Sequence, residues 1–258
     1  MTTPQASRIT ATLRLDPADR GKAVGDLRLR WSDVSSPLGI HPVPIITLTG
    51  QPGPTALFLG GVHGDEFEGP AAIMRLADTL DPGRLKGRVI LVPAANAPAF
   101  ATSSRTSPLD GANLNRSFPG DPDGGPTAML AHFIETELIP RAAAVVDLHS
   151  GGKASVFAPC TLATVTEDAA LFEANLALAK AIAMQTKWRL GAFNDNRSVN
   201  AAAARAGVPM IAAELGGGGG ADPALIEQAE NGHLGVVENK GRKEVGAGPA
   251  HGPRDRKV

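Results

Sequence analysis

The sequence predicts an α/β fold in which helices flank a central sheet of mixed parallel and antiparallel strands. From about residue 51 onward, short continuous apolar runs alternate with segments whose apolar residues recur at helical spacing. Hydrophobic residues make up 43% of the 258 residues, which is enough material for one sizeable core. The chain also contains 30 Gly and 21 Pro, so tight turns between these elements are plentiful.

The first fifty residues are predicted to form an extended segment that packs on the core. Apolar and polar residues alternate over 9–15 and again over 27–31, as they do in half-buried strands, and 45–49 is a third candidate strand. We therefore separate an N-terminal extended segment, 1–50, from the main domain.

The main domain is predicted to span 51–237. Its predicted strands are 55–62, 88–93, 142–146 and 208–213, and its predicted helices are 68–80, 126–139, 167–186 and 222–236. Residues 238–258 carry nine charged residues in 21 and lack Leu, Ile, Met and aromatic residues. Such a segment buries too little apolar surface to offset the entropy of ordering, so we predict a disordered, charged tail.

Charge and cysteine content exclude several classes of protein. Lys and Arg number 25 and Asp and Glu 26, and this near-neutral balance argues against nucleic acid or an anionic membrane as the main partner. No apolar run reaches the ~18 residues of a membrane span, and the first residues lack the apolar core of a signal peptide. Cys160 is the single cysteine, which excludes an internal disulfide and a Cys-based zinc cage. We expect a cytoplasmic protein. The sequence leaves open whether it forms a homo-oligomer.

Four side chains able to do chemistry follow predicted strands. His63 and Glu66 follow the strand 55–62, His149 follows 142–146, and Glu214 follows 208–213. Ligands of α/β sheets bind beyond the carboxyl ends of the strands, so we expect these side chains to converge. Two His and one Glu, with a fourth position left to water, form a recurring catalytic zinc site. Glu214 beside such a metal is a candidate general base.

Other interpretations of these residues remain open. Acidic residues at 65, 66 and 68 are also favoured at a helix N-terminus by the helix dipole, although this does not explain His63 or His149. Asp147 either orients His149 or is a buried carboxylate bonded to loop amides. Glu214 is alternatively a capping or salt-bridged residue.

A long loop between the second and third buried strands carries two arginines. Arg116, with Asn115, is suited to a substrate carboxylate, because a guanidinium binds a carboxylate through two parallel hydrogen bonds. Arg105 is a candidate for stabilising a developing oxyanion. The alternative is that these side chains serve only surface solubility.

Four segments resemble, in this order, motifs of the zinc-dependent succinylglutamate desuccinylase/aspartoacylase family, relatives of the zinc carboxypeptidases. They are 60–70 (GGVHGDEFEGP), 110–120 (DGANLNRSFPG), 147–152 (DLHSGG) and 213–219 (AELGGGG). The resemblance runs from about 40 to 237. The glycine run and the second motif look most like the branch that deacetylates N-acetyl-2,4-diaminobutyrate in ectoine degradation.

The resemblance implies a zinc carboxypeptidase-like three-layer α/β/α fold with about eight strands, and it makes 51–237 the catalytic domain. It implies one Zn²⁺ bound by His63, Glu66 and His149, with Glu214 as general base. It also implies that Arg105 polarises the substrate carbonyl and that Asn115 and Arg116 bind the substrate carboxylate. The small β-rich C-terminal domain of the family is expected to be absent, with the charged tail in its place.

These observations together predict zinc-dependent hydrolysis of the amide bond of an N-acyl amino acid, a small molecule. Metal-bound water is the expected nucleophile, and N-acetyl-2,4-diaminobutyrate is the candidate substrate. Two alternatives stay open: a zinc carboxypeptidase acting on short peptides, and a catalytically weak remnant that binds a metal or ligand.

Overall fold

A computed structural model describes residues 9–16, 19–34, 38–182, 184–191 and 195–237. The predicted tail, 238–258, and the first eight residues lie outside the described residues. In the part of the chain that the structure describes, no helix is both long enough and apolar enough to cross a bilayer.

The described residues contain nine strands, which form one mixed sheet, as the predicted α/β fold class implies. The strands are β1 Ile9–Ala11, β2 Gly21–Arg30, β3 Ile40–Thr49, β4 Gln51–Gly60, β5 Lys86–Val92, β6 Ala144–His149, β7 Cys160–Thr164, β8 Thr186–Leu190 and β9 Met210–Glu214. Their order across the sheet is β1-β2-β3-β5-β4-β6-β9-β7-β8. The strands β4, β5, β6 and β9 are mutually parallel, and β1, β2 and β3 join them by antiparallel pairing.

Helices cover both faces of the sheet, which gives the three-layer α/β/α arrangement. The helices are α1 Glu68–Thr79, α2 Ala97–Ala101, α3 Pro126–Phe133, α4 Ala169–Ala181, α5 Val199–Ala206 and α6 Pro223–Val237. One apolar core lies beneath α3 and α5, and the other lies beneath α1, α4 and α6. Continuous apolar runs such as Leu57–Leu59 supply both cores from a single strand, because alternate side chains point to opposite faces.

One predicted helix is wrong in extent, and another is α-helical over only part of its length. The helix predicted over 167–186 ends at Ala181, and the strand β8 begins at Thr186. The helix predicted over 126–139 is α-helical only to Phe133, and it continues as a π-helical turn, Ile134–Leu138, before Pro140 allows only a 3-10 turn.

The sequence patterns did not predict β7, β8 or α5. The sheet has nine strands among the described residues, where the family resemblance implied about eight. The strand β7 runs antiparallel to β9 and parallel to β8, so it breaks the alternation of strand and helix that was used to find the others. The side chain of Ser198 caps α5 by accepting the N–H of Ala201 at 3.2 Å, and Gly207 ends the helix at φ +67°.

The N-terminal strands extend this same sheet. The strand β2 pairs with β3 over ten residues, and β3 pairs with β5. The strands that position the candidate site are β4, β6 and β9, which are neighbours in the sheet and parallel. Their carboxyl ends therefore lie side by side at one edge, where the predicted site residues are found.

Candidate active site

The loop that follows β4 carries His63 and Glu66 into the protein interior. Their side chains are buried, with 3% and 2% of their surface exposed. Gly64 allows this path, because a Cβ at that position would lie 2.1 Å from the carbonyl carbon of Ala99. Any larger residue would push the loop away from α2 and displace the two side chains on either side of it.

His63, Glu66 and His149 form one buried cluster. The Nδ1 atom of His63 lies 2.7 Å from Oε1 of Glu66, and Nδ1 of His149 lies 2.9 Å from Oε2 of the same carboxylate. One potential ligand atom from each residue lies within 4.8 Å of the others, a spacing that could hold a metal ion. The structure therefore brings together the three residues predicted as metal ligands.

The outer nitrogens of both imidazoles face acceptors. The Nε2 atom of His149 lies 2.8 Å from Oδ2 of Asp147, and Nε2 of His63 lies 3.1 Å from Oδ1 of Asn113. That Asn113 oxygen also accepts the N–H of Asn115 at 2.9 Å, which identifies it as the carbonyl oxygen. Each Nε2 is therefore a donor, and each Nδ1 faces the carboxylate of Glu66.

The opposite charges in this cluster stabilise one another. Burial would lower the pKa of His149, but the carboxylates of Asp147 and Glu66 raise that pKa well above its ordinary value. Burial would raise the pKa of Glu66, but His149 and His63 hold that pKa far below its usual range. Burial lowers the pKa of His63, so the charged pair is His149 with Glu66.

Glu214 lies at the end of β9, opposite His149 of β6 on one side and Cys160 of β7 on the other. Burial, together with the nearby carboxylates of Glu66 and Asp147, raises the pKa of Glu214 from 4.5 to about 7. Its Oε2 atom is buried and has no hydrogen-bond partner among the described residues. This is the environment of a carboxyl group that exchanges a proton near neutral pH.

Arg105 reaches the cluster from the loop 102–125. Its Nη1 atom lies 3.2 Å from Oε1 of Glu66, while about half of its side chain remains exposed. The guanidinium is thus attached to the cluster at one end and open to solvent elsewhere. This places Arg105 at the edge of the site, beside the carboxylate that both imidazoles contact.

Asn115 and Arg116 lie on the short turn that also carries Asn113. The Oδ1 atom of Asn115 accepts the N–H of Val199 at 3.0 Å, which leaves its Nδ2 hydrogens as donors. Arg116 is paired through Nε with Oδ2 of Asp195 at 3.1 Å rather than standing free. Arg197 holds the same carboxylate at 3.0 and 2.8 Å, so this cluster carries two guanidinium groups and one carboxylate.

Sequence reasoning assigned no role to Asn113 or Arg197. Asn113 forms an Asx turn in which its side-chain oxygen accepts the N–H of Asn115, a local pattern for which Asn is a favoured residue. Arg197 follows a segment for which the sequence predicted no element. Its proximity to Arg116 depends on a contact between residues about 80 positions apart.

The glycine run after Glu214 is not available as an anion-binding loop. The N–H of Gly217 is donated to Glu68, that of Gly218 to the carbonyl of Ser155, and that of Gly219 to the carbonyl of Gly152. These three amides are satisfied within the protein. They are therefore not available to bind the oxygens of a phosphate group.

Comparison with known proteins identifies a family model and a curated relative that match most of this chain. The family model for the succinylglutamate desuccinylase/aspartoacylase catalytic domain matches residues 52–238. The N-α-acetyl-L-2,4-diaminobutyric acid deacetylase of Halomonas elongata is 39% identical over 240 residues, which are 91% of this chain and 70% of that protein.

Two solved structures are similar over the same extent. One is a succinylglutamate desuccinylase from Silicibacter sp. TM1040, with 38% identity and a TM-score of 0.86. The other is the product-bound ectoine utilization protein EutE (DoeB) from Ruegeria pomeroyi, with 39% identity and a TM-score of 0.85. Each match covers 90% of this chain and 70% of the other.

These similarities define the chain as a hydrolase that acts on amide bonds. The chain belongs to the succinylglutamate desuccinylase/aspartoacylase family, as the four sequence motifs predicted.

Proposed function

We propose that this enzyme hydrolyses the amide bond of an N-acyl amino acid at a Zn²⁺ site formed by His63, Glu66 and His149. The observation that carries the proposal is the geometry of this cluster. Two imidazoles are fixed with Nδ1 toward one carboxylate, and Glu214, with a pKa near 7, ends the neighbouring strand.

Zinc fits this donor set. Two imidazole nitrogens and one carboxylate oxygen, with room for water, are the ligands of many catalytic zinc sites. The acceptors at Asp147 and Asn113 hold each ring in the tautomer that a metal ligand needs, and they increase the basicity of the ligating nitrogen. A divalent cation would replace the proton that His149 shares with Glu66.

A Zn²⁺ ion held by His63, Glu66 and His149 would supply Lewis-acid chemistry, which would polarise the acyl carbonyl and make the attacking water more acidic. Glu214 accepts the proton of the attacking water, because its pKa of about 7 lets it bind and release a proton at neutral pH. The same carboxyl then donates that proton to the nitrogen of the departing amine. Its Oε2 atom, which lacks a partner among the described residues, is free to carry the proton.

Arg105 stabilises the negative charge that develops on the carbonyl oxygen. Its guanidinium already lies beside Glu66 and is about half exposed, so it can reach a substrate at the mouth of the site. A charge that appears only during the attack makes this interaction stronger in the transition state than in the ground state.

Arg116 and Asn115 bind the carboxylate of the amino acid. The cluster of Arg116, Asp195 and Arg197 carries two positive charges and one negative charge, so it retains attraction for one further carboxylate. We assign Arg197 to the same task on this ground. The Nδ2 hydrogens of Asn115 remain available to donate alongside these guanidinium groups.

N-acetyl-2,4-diaminobutyrate is the proposed substrate, because the relative from Halomonas elongata is named for the deacetylation of N-α-acetyl-L-2,4-diaminobutyric acid. An assay of liberated amine on this compound, with and without a chelator, tests the proposal. N-succinyl- and N-acetyl-amino acids and short peptides form the comparison panel. The proposal is supported if the chelator abolishes turnover and added Zn²⁺ restores it.

Two other outcomes would favour the alternatives. Preferential cleavage of the peptides would identify a carboxypeptidase. Absence of turnover in protein that contains stoichiometric zinc would indicate a binding remnant.

A further inference from the structure

The acidic residue Glu68 contacts the glycine run that follows the proposed general base. It lies in the first turn of α1, two residues after Glu66, and only 1% of its surface is exposed. Its Oε1 atom accepts the N–H of Gly217 at 3.1 Å. A favourable position at a helix N-terminus does not account for this contact, which reaches a segment 149 residues further along the chain.

The glycine run needs such an anchor. Gly216 to Gly219 all adopt positive φ, between +73° and +129°, and four successive glycines lose more conformational entropy on ordering than any other residues. The other described hydrogen bonds of this run connect it to the main chain of the loop 150–157, which is itself rich in glycine. Glu68 supplies its contact from the first turn of a helix, which is a more rigid support.

The anchor is close to Glu214 in sequence and in space. Gly217 is three residues beyond Glu214, and the preceding Leu215 is already fixed by the bond from its N–H to the carbonyl of His149. A Cβ at Gly216 would lie 3.6 Å from Oε1 of Glu68, so the carboxylate packs directly against the turn. Glu68 thereby connects the segment of His63 and Glu66 to the end of β9.

We propose that Glu68 is a positioning residue that fixes the general base, Glu214, relative to the metal-ligating segment. It acts through Gly217 and does not contact the substrate. This inference rests on the proposed function for the role of Glu214. Loss of the Glu68 contact leaves the metal ligands in place and lets the turn after β9 move, which misplaces the carboxylate that transfers the proton.

Three variants test this role. Glu68→Ala removes the acceptor, Glu68→Gln keeps an oxygen at the position of Oε1, and Asn175→Ala is a matched control. Asn175 is a buried residue whose Oδ1 accepts the N–H of Met210 at 2.8 Å, at the opposite end of β9. Its removal therefore loosens the same strand at the end distant from Glu214.

Kinetics and metal content give the first readout. We expect Glu68→Ala to keep one Zn²⁺ per chain and KM within twofold, while kcat falls about 10–100-fold, as misplacement of a reacting group by ~1 Å would cause. Glu68→Gln should retain kcat within threefold, and so should Asn175→Ala per folded molecule. The proposal would be overturned if Glu68→Ala kept its kcat or lost its zinc. It would also be overturned if kcat fell equally in Asn175→Ala.

Hydrogen exchange gives a readout that needs neither substrate nor metal. In metal-free protein, amide exchange over 214–220 should accelerate at least tenfold in Glu68→Ala and remain at the wild-type rate in Glu68→Gln. Unaltered exchange in Glu68→Ala would refute the positioning role of Glu68, whether or not the enzyme is active. Inactivity toward every N-acyl amino acid would count only against the proposed function. If Glu68→Ala does not fold, Glu68→Asp, which retracts the carboxylate by one methylene, replaces it in both measurements.

Discussion

Replacing Glu214, the proposed general base, should make the metal-free protein more stable and should remove the proposed activity of the zinc-loaded enzyme. The pKa of Glu214 is raised from 4.5 to about 7 by burial and by the carboxylates of Glu66 and Asp147. An acid whose pKa is higher in the folded state than in the unfolded state destabilises the fold once it ionises. This cost is absent below pH 4.5, grows between 4.5 and 7, and is complete above 7.

The magnitude follows from the two pKa values. Each pKa unit corresponds to about 1.4 kcal/mol, so the ionised carboxylate costs about 3 kcal/mol at pH 8. Glu214→Gln removes the charge and keeps the shape, and it breaks no hydrogen bond at Oε2, which has no partner among the described residues. For a chain of this length the gain corresponds to roughly 6–12 °C in Tm.

Thermal unfolding of chelator-treated protein at pH 8 and at pH 4 measures this effect. We expect Glu214→Gln to unfold at higher temperature at pH 8 and at the same temperature as wild type at pH 4. Glu173→Gln, on the exposed surface of α4, is the matched control and should change neither value. Equal stability at pH 8, or a gain that persists at pH 4, would refute the electrostatic reasoning.

If Glu214 is the general base, as proposed, it should also set the pH dependence of the zinc-loaded enzyme. A general base must be deprotonated, so kcat/KM should rise with pH on an acidic limb that belongs to Glu214. The positive charge of the cation places that limb at or below pH 7, since it favours the carboxylate. Glu214→Gln should lower kcat by about 10²–10⁴-fold and abolish the limb, and a limb that survives the substitution would assign it to another group.

Three further predictions concern the other site residues. His63→Ala and His149→Ala should each reduce zinc content measured by elemental analysis, and stoichiometric zinc in either variant would remove that residue from the ligand set. Asn113→Ala should weaken zinc binding about 10–100-fold in competition with a chromophoric chelator, whereas Asn113→Asp keeps an acceptor for the imidazole and should bind normally. Arg116→Ala should mainly raise KM and Arg105→Ala should mainly lower kcat in steady-state kinetics, and the reverse pattern would exchange their roles.

The sequence predicted those parts of the fold that local patterns determine. Buried strands such as β6 are continuous apolar runs, and α1 shows apolar residues at helical spacing, so both were found to within a few residues. Because parallel strands end at one edge of the sheet, their order along the chain was enough to predict that His63, Glu66 and His149 converge. The convergence needed no knowledge of which strand neighbours which.

What the sequence could not predict depends on contacts between distant segments. All but one residue of β8 are exposed, so this strand has no apolar pattern, and it is defined by its pairing with β7. The pairing of Arg116 with Asp195 and the contact of Asn113 with His63 likewise join parts of the chain at least 50 residues apart. Local spacing carries no information about such pairs, and the roles of Arg105, Asn115 and Arg116 stay predictions.

The glycine run after Glu214 also bears on how this protein can evolve. Every single-nucleotide change in a glycine codon that alters the amino acid adds a Cβ, and none of the four positions from Gly216 to Gly219 combines a permissive φ with open space. At Gly217, for example, the added carbon would lie 2.3 Å from the carbonyl oxygen of Ser155. A mutational scan would therefore record four consecutive intolerant codons. Such a pattern is usually attributed to direct participation in chemistry, but here it would arise from backbone geometry beside the site.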